Sequence, residues 1–351
     1  MHRIAPTGLI ERYRDRLPVS DATPVISLGE GSTPLLRADR LGALLGVELY
    51  LKLEGANPTG SFKDRGMTMA LSKAAEDGAQ KVVCASTGNT SASAAAYAAR
   101  AGIPCLVVVP SGQTALGKLA QAQAVGATVC VIDGSFDDGL RLVRELCDRH
   151  PITLVNNLND YRLEGQKTAA FEIIDEIGVP DWLSLPVGNA GNITAYWRGF
   201  NEAVTAGDAT DRPRLLGCQA AGAAAMLQDT DIAEPDTMAT AIRIGSPVRR
   251  TEAARAARES EGGFVAAPDE EILDWWGRIA RLEGVFCEPS SATSVAGLAR
   301  GRAAGTVEEG ARVVCVLTGH GLKDPDTAIA RSPAVVRVPA TFEALERVAL
   351  S

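Results

Sequence analysis

A lysine near the start of the chain has the setting that covalent chemistry with an aldehyde requires. Lys63 lies in the polar run Asn57–Arg65, between a strand-like segment at 48–54 and a helix-like segment at 67–76. An amine at the end of such a strand-loop-helix turn can form a Schiff base with an aldehyde cofactor, provided that it is kept neutral. The rest of the chain must then supply a site around this lysine.

A second loop, made of small residues, could hold a phosphate group. It follows the apolar run 182–185 and precedes a helix-like segment at 193–200, and its residues are Gly188, Asn189, Ala190, Gly191 and Asn192. Small residues let backbone N–H groups approach an anion, and a helix N-terminus adds a favourable partial charge. The loop has neither the lysine of a Walker A loop nor the dinucleotide fingerprint. It is therefore either a compact phosphate cup or simply a turn.

A third loop is rich in hydroxyl and amide groups. It follows the strand-like segment 81–85, and its residues are Ser86, Thr87, Gly88, Asn89 and Thr90. These side chains and the free backbone donors suit a carboxylate and a ring hydroxyl. The same residue types are also preferred as helix N-caps, so one residue can cap a helix while the others bind.

Two more polar loops follow strand-like segments. Thr318 comes directly after the segment 313–317, where its hydroxyl could meet a ring nitrogen. Asn156, Asn157 and Arg162 follow the segment 152–155. A guanidinium can grip a phosphate with two hydrogen bonds, although an arginine at this point could also be a surface residue at a helix start.

Predicted strands and helices alternate along the chain and must position these loops. The pattern predicts strands at 81–85, 105–109, 128–132, 152–155, 215–218 and 312–317, and helices at 91–100, 116–125, 136–149, 165–177 and 269–283. This order is typical of an α/β fold with doubly wound, mainly parallel open sheets. Ligands of such folds lie beyond the carboxyl ends of the strands, which is where all the polar loops fall.

Composition narrows the class of protein. A chain of 351 residues is long enough for about two domains, and its net charge of −8 disfavours nucleic acid as a partner. Seven scattered cysteines without a CxxC pair, and only three histidines, indicate buried thiols and no metal site.

The first residues lack an apolar signal core and no apolar run could span a membrane, so we expect a cytoplasmic protein. The segment 248–263, in which arginines and glutamates interleave, predicts a solvated helix face.

Together the loops resemble one family, the threonine synthases, which depend on pyridoxal phosphate and belong to the tryptophan-synthase-β structural class. The resemblance covers about residues 28–327. Its further motifs are Gly31-Ser32-Thr33-Pro34-Leu35, Glu164-Gly165-Gln166-Lys167-Thr168, Ile242-Arg243-Ile244-Gly245-Ser246-Pro247 and Glu288-Pro289-Ser290-Ser291. The resemblance implies fold type II, with pyridoxal 5′-phosphate between two domains, a large one at 1–66 and 153–351 and a small mobile one at 67–152.

The resemblance also implies a role for each loop. Lys63 would carry the Schiff base, the loop Gly188–Asn192 would hold the cofactor phosphate, Asn89 would contact the ring hydroxyl, and Thr318 would face the ring nitrogen. A neutral hydroxyl partner would not hold that nitrogen protonated. The residues expected at the substrate's carboxylate or phosphate are Ser86, Thr87, Thr90, Asn156, Asn157 and Arg162.

The implied reaction turns O-phospho-L-homoserine and water into L-threonine and phosphate, the last step of threonine biosynthesis. A homodimer is expected, with the apolar segment Leu28–Leu45 as one possible contribution to its interface. No long N-terminal extension of the regulated plant type is present, so allosteric control is not expected. Two positions depart from the family pattern, which often has serine at Asn157 and asparagine at His320. His320 could titrate beside the cofactor ring or have only an orienting role.

Other functions stay open at this point. The nearest alternative is a serine or threonine dehydratase or a cysteine synthase of the same fold, although the loops Ser86–Thr90 and Gly188–Asn192 favour threonine synthase. A cofactor-free anion-binding protein is disfavoured by the intact Lys63 and its loops. A dinucleotide oxidoreductase is suggested only by the alternation of strands and helices.

Overall fold

A computed structural model of the chain describes residues 8–111 and 116–350. Residues 1–7, on which the expectation about a signal peptide depends, lie outside these ranges. Within them the strands are β1 (Leu35–Arg37), β2 (Glu48–Leu53), β3 (Lys81–Ala85), β4 (Cys105–Pro110), β5 (Thr128–Ile132), β6 (Ile152–Leu154), β7 (Trp182–Pro186), β8 (Arg214–Ala220), β9 (Gly263–Ala267) and β10 (Arg312–Leu317).

The helices alternate with these strands for most of the chain. They are α1 (Leu9–Arg12), α2 (Asp39–Leu45), α3 (Lys63–Glu76), α4 (Asn89–Ala101), α5 (Leu116–Ala124), α6 (Phe136–Arg149), α7 (Tyr161–Ile177), α8 (Gly191–Ala206), α9 (Ala225–Gln228), α10 (Arg250–Glu259), α11 (Asp269–Glu283), α12 (Pro289–Ala303), α13 (Pro325–Arg331) and α14 (Phe342–Ala349).

The strands form two sheets. A six-stranded sheet has the order β1-β2-β10-β7-β8-β9, and a four-stranded sheet has the order β5-β4-β3-β6. Among the strands of the described ranges, only β1 is antiparallel to its neighbour, and every other pair is parallel. The predicted α/β architecture with parallel, doubly wound sheets is confirmed.

Both sheets are covered on both faces, as parallel sheets require. Along β10, Val313 and Cys315 pack into one apolar cluster, whereas Val314 and Val316 pack into another on the opposite face. Successive residues of β3 likewise divide between two clusters. Because side chains alternate along a strand, an unbroken apolar run such as 313–317 is the expected pattern for a strand buried on both sides.

The predicted segments 128–132, 136–149, 269–283 and 312–317 match the observed elements residue for residue. Two helices begin four residues earlier than predicted: α3 begins at Lys63 and α7 at Tyr161. The apolar period misses these first turns because they consist of polar and charged residues, several of which are buried. The helix α12 was not predicted, since it is buried nearly all round and has no polar face.

All five polar loops leave the carboxyl ends of parallel strands. The loops that carry Lys63, Thr318 and Gly188–Asn192 follow β2, β10 and β7 of the six-stranded sheet, and two further loops follow β3 and β6 of the four-stranded sheet. The site must therefore lie where the carboxyl edges of the two sheets meet.

A buried charge network ties β2, α3 and α7 together beneath the site. Arg65 donates to Glu54 at 2.7 Å and to Glu172 at 2.6 and 2.7 Å. Lys52 lies 2.9 Å from Glu172 and donates to the Thr33 carbonyl at 2.7 Å. Two cations and two carboxylates thus compensate one another. Burial opposes the charged form of both groups, but their pairing raises the pKa of Arg65 and lowers the pKa of Glu172.

No helix in the described part of the chain combines the length and the apolar character needed to cross a membrane. All seven cysteines are free, and Cys84, Cys105, Cys218, Cys287 and Cys315 are buried.

Candidate active site

Lys63 is held beside the end of β10 by its own loop. The Phe62 N–H donates to the Thr318 carbonyl at 3.0 Å, and the His320 N–H donates to the Gly60 carbonyl at 2.9 Å. Asp64 also stabilises this loop, because its carboxylate accepts a hydrogen bond from the Thr59 N–H at 2.6 Å. As the first residue of α3, Lys63 therefore projects from a rigid turn.

The Lys63 amine is adapted to react near neutral pH. Its side chain is only partly accessible, and the amine lies 4.0 Å from the centroid of the Phe62 ring. Burial lowers the pKa of Lys63 to about 7, and the nearby charge of Arg162 lowers it further, whereas Glu288 opposes the shift. A large fraction of the amine is then neutral at pH 7 and can act as nucleophile or base.

Arg162 is a buried cation that has no carboxylate partner in the described part of the chain. Its side chain is 1% exposed, its Nη1 donates to the Val155 carbonyl at 3.3 Å, and its Nε has no partner among the described residues. Burial lowers the pKa of Arg162 to about 10. A buried guanidinium in this state is costly unless an anion binds to it. The geometry therefore favours the prediction of an anion site over that of a surface arginine.

Close packing of two helices brings this arginine to the lysine. At Gly66 on α3, an added Cβ would lie 2.9 Å from the Arg162 carbonyl oxygen. At Gly165 on α7, an added Cβ would overlap the Arg65 carbonyl. The two helices can approach this closely only because both positions lack a side chain.

The loop Gly188–Asn192 has the form of an anion cup. Ala190 is in the left-handed region with φ 63° and precedes the 16-residue helix α8, whose first N–H groups have no acceptor within the helix. Asn192 is 8% exposed, and its side-chain Nδ2 has no partner among the described residues. A buried donor beside a free helix N-terminus suits a phosphate group. The residues of this loop therefore fit the phosphate of a phosphorylated cofactor.

Asn157 lies against this cup. Its Nδ2 donates to the Asn189 carbonyl at 3.2 Å, and a Cβ on Gly191 would overlap its amide. Arg249 holds the arrangement together: its backbone N–H donates to the Asn189 carbonyl at 3.3 Å and its guanidinium to the Asn157 carbonyl at 3.3 Å. The expectation that 248–263 presents a solvated face is thus wrong for Arg249, whose side chain is only 13% exposed because it binds partly buried carbonyls of the neighbouring loop.

The loop Ser86–Thr90 opens α4. The Ser86 N–H donates to the Val108 carbonyl at 3.1 Å, and the Ser86 hydroxyl accepts from the Gly88 N–H at 3.3 Å. Ser86, Thr87 and Thr90 are partly exposed, so they are available to a ligand. Asn156 has a different environment: its Oδ1 accepts from the Ala85 N–H and its Nδ2 donates to the Ala85 carbonyl, both at 2.9 Å. It joins the ends of β3 and β6 and keeps only one N–H for a ligand.

Asn89 and Thr318 meet at a carboxylate that the sequence interpretation did not single out. Asn89 Nδ2 lies 3.0 and 3.2 Å from the two oxygens of Glu288, and the Thr318 hydroxyl lies 3.4 Å from one of them. Glu288 is buried, and burial raises its pKa. In the sequence, Glu288 belongs to the family motif Glu288-Pro289-Ser290-Ser291, but no role at the site was predicted for it.

His320 has an orienting environment. Its Nδ1 accepts from the Leu322 N–H at 3.2 Å, and its ring packs edge-on against Phe286 with centroids 5.7 Å apart. These contacts fix the orientation of the His320 ring beside the end of β10.

A wide surface cavity of about 880 Å³ lies elsewhere, at the amino ends of β7, β8 and β10. Its lining includes Asp181, Arg214 and Ala311, and none of the candidate site residues. Since ligands of parallel sheets bind at the carboxyl ends, we assign the chemistry to the Lys63 site and not to this cavity.

Comparison with known proteins agrees with this geometry. Residues 26–319 match the family described as pyridoxal-phosphate dependent enzyme. The chain is 58% identical over 328 residues to a threonine synthase of Synechocystis sp., covering 93% of this chain and 85% of the relative. It is 55% identical over 333 residues to a threonine synthase of Halalkalibacterium halodurans, covering 94% of each. Its fold is similar to that of maize serine racemase, with a TM-score of 0.77 at 20% identity over 98% of this chain and 99% of the other.

Proposed function

The chain belongs to the threonine synthases, a family of pyridoxal-phosphate dependent enzymes, and we propose that it converts O-phospho-L-homoserine and water into L-threonine and phosphate at Lys63. The proposal concerns the substrate and the residues that act on it. A dehydratase of the same fold, the nearest alternative from the loops, loses support because the relatives at 49–58% identity bear the name threonine synthase.

The observation that carries the proposal is the position of Arg162. The site holds two separate places for an anion: the cup Gly188–Asn192 at the start of α8, and the buried Arg162 beside Lys63. A phosphorylated cofactor needs one phosphate site. The second fits a phosphorylated substrate.

Pyridoxal phosphate, when bound, supplies an electron sink for negative charge that develops on the carbon atoms of an amino acid. The residues that would hold it are Lys63 at the aldehyde, Gly188–Asn192 at the phosphate, Asn89 at the ring hydroxyl and Thr318 at the ring nitrogen. Asn157 would support the cup through the Asn189 carbonyl.

Lys63 would act as the base of the reaction. With a pKa of about 7, its neutral amine can take the proton from Cα of the substrate. After passing that proton on, the amine is neutral again and can take one from Cβ, which it can return to Cγ once the phosphate has left. Arg162 would hold the phosphate as it leaves Cγ, and Asn156, with its one free N–H, would lie at the edge of that subsite. Ser86, Thr87 and Thr90 would bind the substrate carboxylate and so fix the orientation of Cα toward Lys63.

We also propose that the chain has a large domain at 1–66 and 153–351 and a small mobile one at 67–152. The four-stranded sheet supports the division, although β6 belongs to that sheet and moves the second boundary past Leu154. Gln121 of α5 contacts the other domain, since it accepts from Lys323 at 2.6 Å and donates to the Thr59 carbonyl at 3.4 Å. Closure of the small domain over the substrate would exclude water.

A homodimer in the cytoplasm is the remaining part of the proposal. Leu28 and Leu44 are 40% and 52% exposed in the segment that we expected at an interface. A second apolar stretch, near the end of the chain, includes Val335 and Phe342, which are 85% and 72% exposed. Exposed apolar side chains of this kind favour association when they form a patch. Light scattering coupled to gel filtration would show a monomer if the proposal fails, and cell fractionation tests the compartment.

The function is tested by measuring phosphate and threonine together after addition of O-phospho-L-homoserine. Equal amounts of both products are expected. Phosphate without threonine would point to the dehydratase reaction, and neither product would contradict the assignment. Lys63→Ala should abolish turnover and the borohydride-stable attachment of pyridoxal phosphate. Arg162→Lys should keep that attachment and raise KM, because an ammonium loses the bidentate grip on phosphate.

A further inference from the structure

One buried carboxylate touches both side chains that would meet the cofactor ring. Glu288 is 4% exposed and lies directly before α12. Its oxygens accept from Asn89 Nδ2 at 3.0 and 3.2 Å, and one of them lies 3.4 Å from Thr318 Oγ1. Asn89 comes from the four-stranded sheet unit and Thr318 from the six-stranded sheet, so the carboxylate spans the boundary between the two.

The backbone fixes the carboxylate in this place. The Glu288 N–H donates to the Gly319 carbonyl at 3.0 Å, and the Ser291 hydroxyl accepts from the Gly319 N–H at 2.9 Å. A Cβ on Gly319 would lie 2.5 Å from Glu288 Oε1. The strand end therefore accommodates the carboxylate only because position 319 is glycine.

We propose that Glu288 is a positioning residue that accepts the proton of the Thr318 hydroxyl in a hydrogen bond and thereby turns the Thr318 oxygen into an acceptor toward the cofactor ring nitrogen. The proposal rests on the cofactor placement given under the proposed function. A hydroxyl has one proton to donate. When that proton is directed to Glu288, only oxygen lone pairs face the ring, and the ring nitrogen can pair with them only in its protonated form.

This role of Glu288 reverses the expectation, drawn from the sequence, that the ring nitrogen is not held protonated. A neutral hydroxyl partner by itself implies an unprotonated ring and a weaker electron sink. Backed by a carboxylate, the same hydroxyl favours the protonated ring, which withdraws electrons more strongly. Acting through the Thr318 hydroxyl, Glu288 would then stabilise the protonated ring nitrogen, as a carboxylate in direct contact with the ring would do.

The charges around Glu288 decide whether it is ionised. Burial raises its pKa, while the Asn89 amide, Lys323 and Lys63 lower it. The adjacent Cys287 thiol has a raised pKa because of its own burial and therefore stays neutral. Lys323, in the turn Gly321–Lys323, thus favours the carboxylate form, and Lys63 adds to this effect only in the fraction that is protonated.

The proposal is tested by the NMR shift of the ring nitrogen in protein reconstituted with ring-15N pyridoxal phosphate. The wild-type resonance is expected at the protonated position. Glu288→Gln keeps the size and a carbonyl acceptor but removes the charge, so its resonance should move to the unprotonated position. Ser291→Ala removes the other hydroxyl near Thr318, which lies 3.0 Å from it, and should leave the resonance in place.

An unchanged resonance in Glu288→Gln would overturn the proposal, and so would an unprotonated resonance in the wild type. Gly319→Ala gives a second route if Glu288→Gln does not fold, because overlap displaces the carboxylate; the same change of resonance is expected, and its absence would count against the proposal. Mass analysis of the borohydride-reduced Lys63 peptide separates the two hypotheses. Wild-type protein without that adduct would contradict the cofactor placement itself, whereas an adduct with an unchanged resonance would contradict only the role of Glu288.

Discussion

Gly165 faces the Arg65 carbonyl so closely that no side chain fits between them. The contact joins α7 to α3 within the first two turns of each helix, close to Arg162 and Lys63. The distance between the proposed base and the proposed phosphate site is therefore set by a helix crossing and not by a loop.

Gly165→Ala should push the two helices apart. The added methyl overlaps backbone, which cannot rotate away, so we expect a loss of stability of about 1–3 kcal/mol. Displacement of Arg162 from Lys63 should lower kcat/KM by up to about a hundredfold. Urea denaturation and steady-state assays measure the two effects.

Gly139→Ala is the control. A Cβ added at Gly139, in α6, would have its nearest neighbour at 3.4 Å, so this variant should be at least as stable as wild type. Equal behaviour of the two variants would contradict the role of the crossing.

The reactivity of Lys63 should follow its lowered pKa. Since only the neutral amine attacks an aldehyde, the rate of pyridoxal attachment to cofactor-free protein should rise with pH and level off above about 7, the pKa of Lys63. Arg162→Met removes a positive charge, so the plateau should shift to higher pH. Arg162→Lys keeps the charge and should not shift it. Borohydride trapping followed by mass analysis of the Lys63 peptide gives the rates, and a wild-type plateau near that of a solvated lysine would refute the buried environment.

The charge network under the site should be a large contributor to stability. Glu172 accepts from Arg65 and lies 2.9 Å from Lys52, so Glu172→Ala leaves buried cations uncompensated and should cost about 3–5 kcal/mol. The pKa of Glu172 is lowered in the folded state, so its contribution is present above the ordinary carboxyl pKa and is lost as the pH falls.

Glu176→Ala is the matched control for this effect. Glu176 lies 3.5 Å from the same Lys52, but its side chain is 42% exposed, so the change should stay within about 0.5 kcal/mol. Urea midpoints at neutral and at acid pH measure both variants. A penalty for Glu172→Ala that does not shrink in acid would show that packing, and not charge, is the cause.

The sequence was informative wherever one physical pattern determined the structure. The segments 136–149 and 312–317 were predicted with the correct ends. The first has the amphipathic helical period of 3.6 residues, and the second is a short unbroken apolar run of the kind typical of a strand buried on both faces. The candidate loops were found because small and polar residues follow strands. Their spatial convergence followed from the parallel order of strands alone.

What the sequence did not reveal are properties of three-dimensional packing. The residue types around Arg162 suggested a phosphate ligand, but its burial without a carboxylate partner depends on the glycine crossing of α3 and α7. The roles of Glu288 and Arg249 at the site were not predicted, because their partners are remote in the chain: Asn89 is 199 residues from Glu288, and Asn157 is 92 residues from Arg249. No local period records such a contact.

Closure of the small domain should depend on Gln121. Its side chain accepts from Lys323 at 2.6 Å and donates to the Thr59 carbonyl at 3.4 Å, so it links α5 to the loop that carries Lys63. Gln121→Ala removes both hydrogen bonds but leaves Lys63 untouched. At about 1 kcal/mol for each bond, KM should rise roughly fivefold to thirtyfold, with a smaller change in kcat. Gln123→Ala alters the same residue type on the exposed side of the same helix and should leave KM unchanged. If the Gln121 variant instead lowered kcat at constant KM, the contact would serve the chemical step and not the closed state.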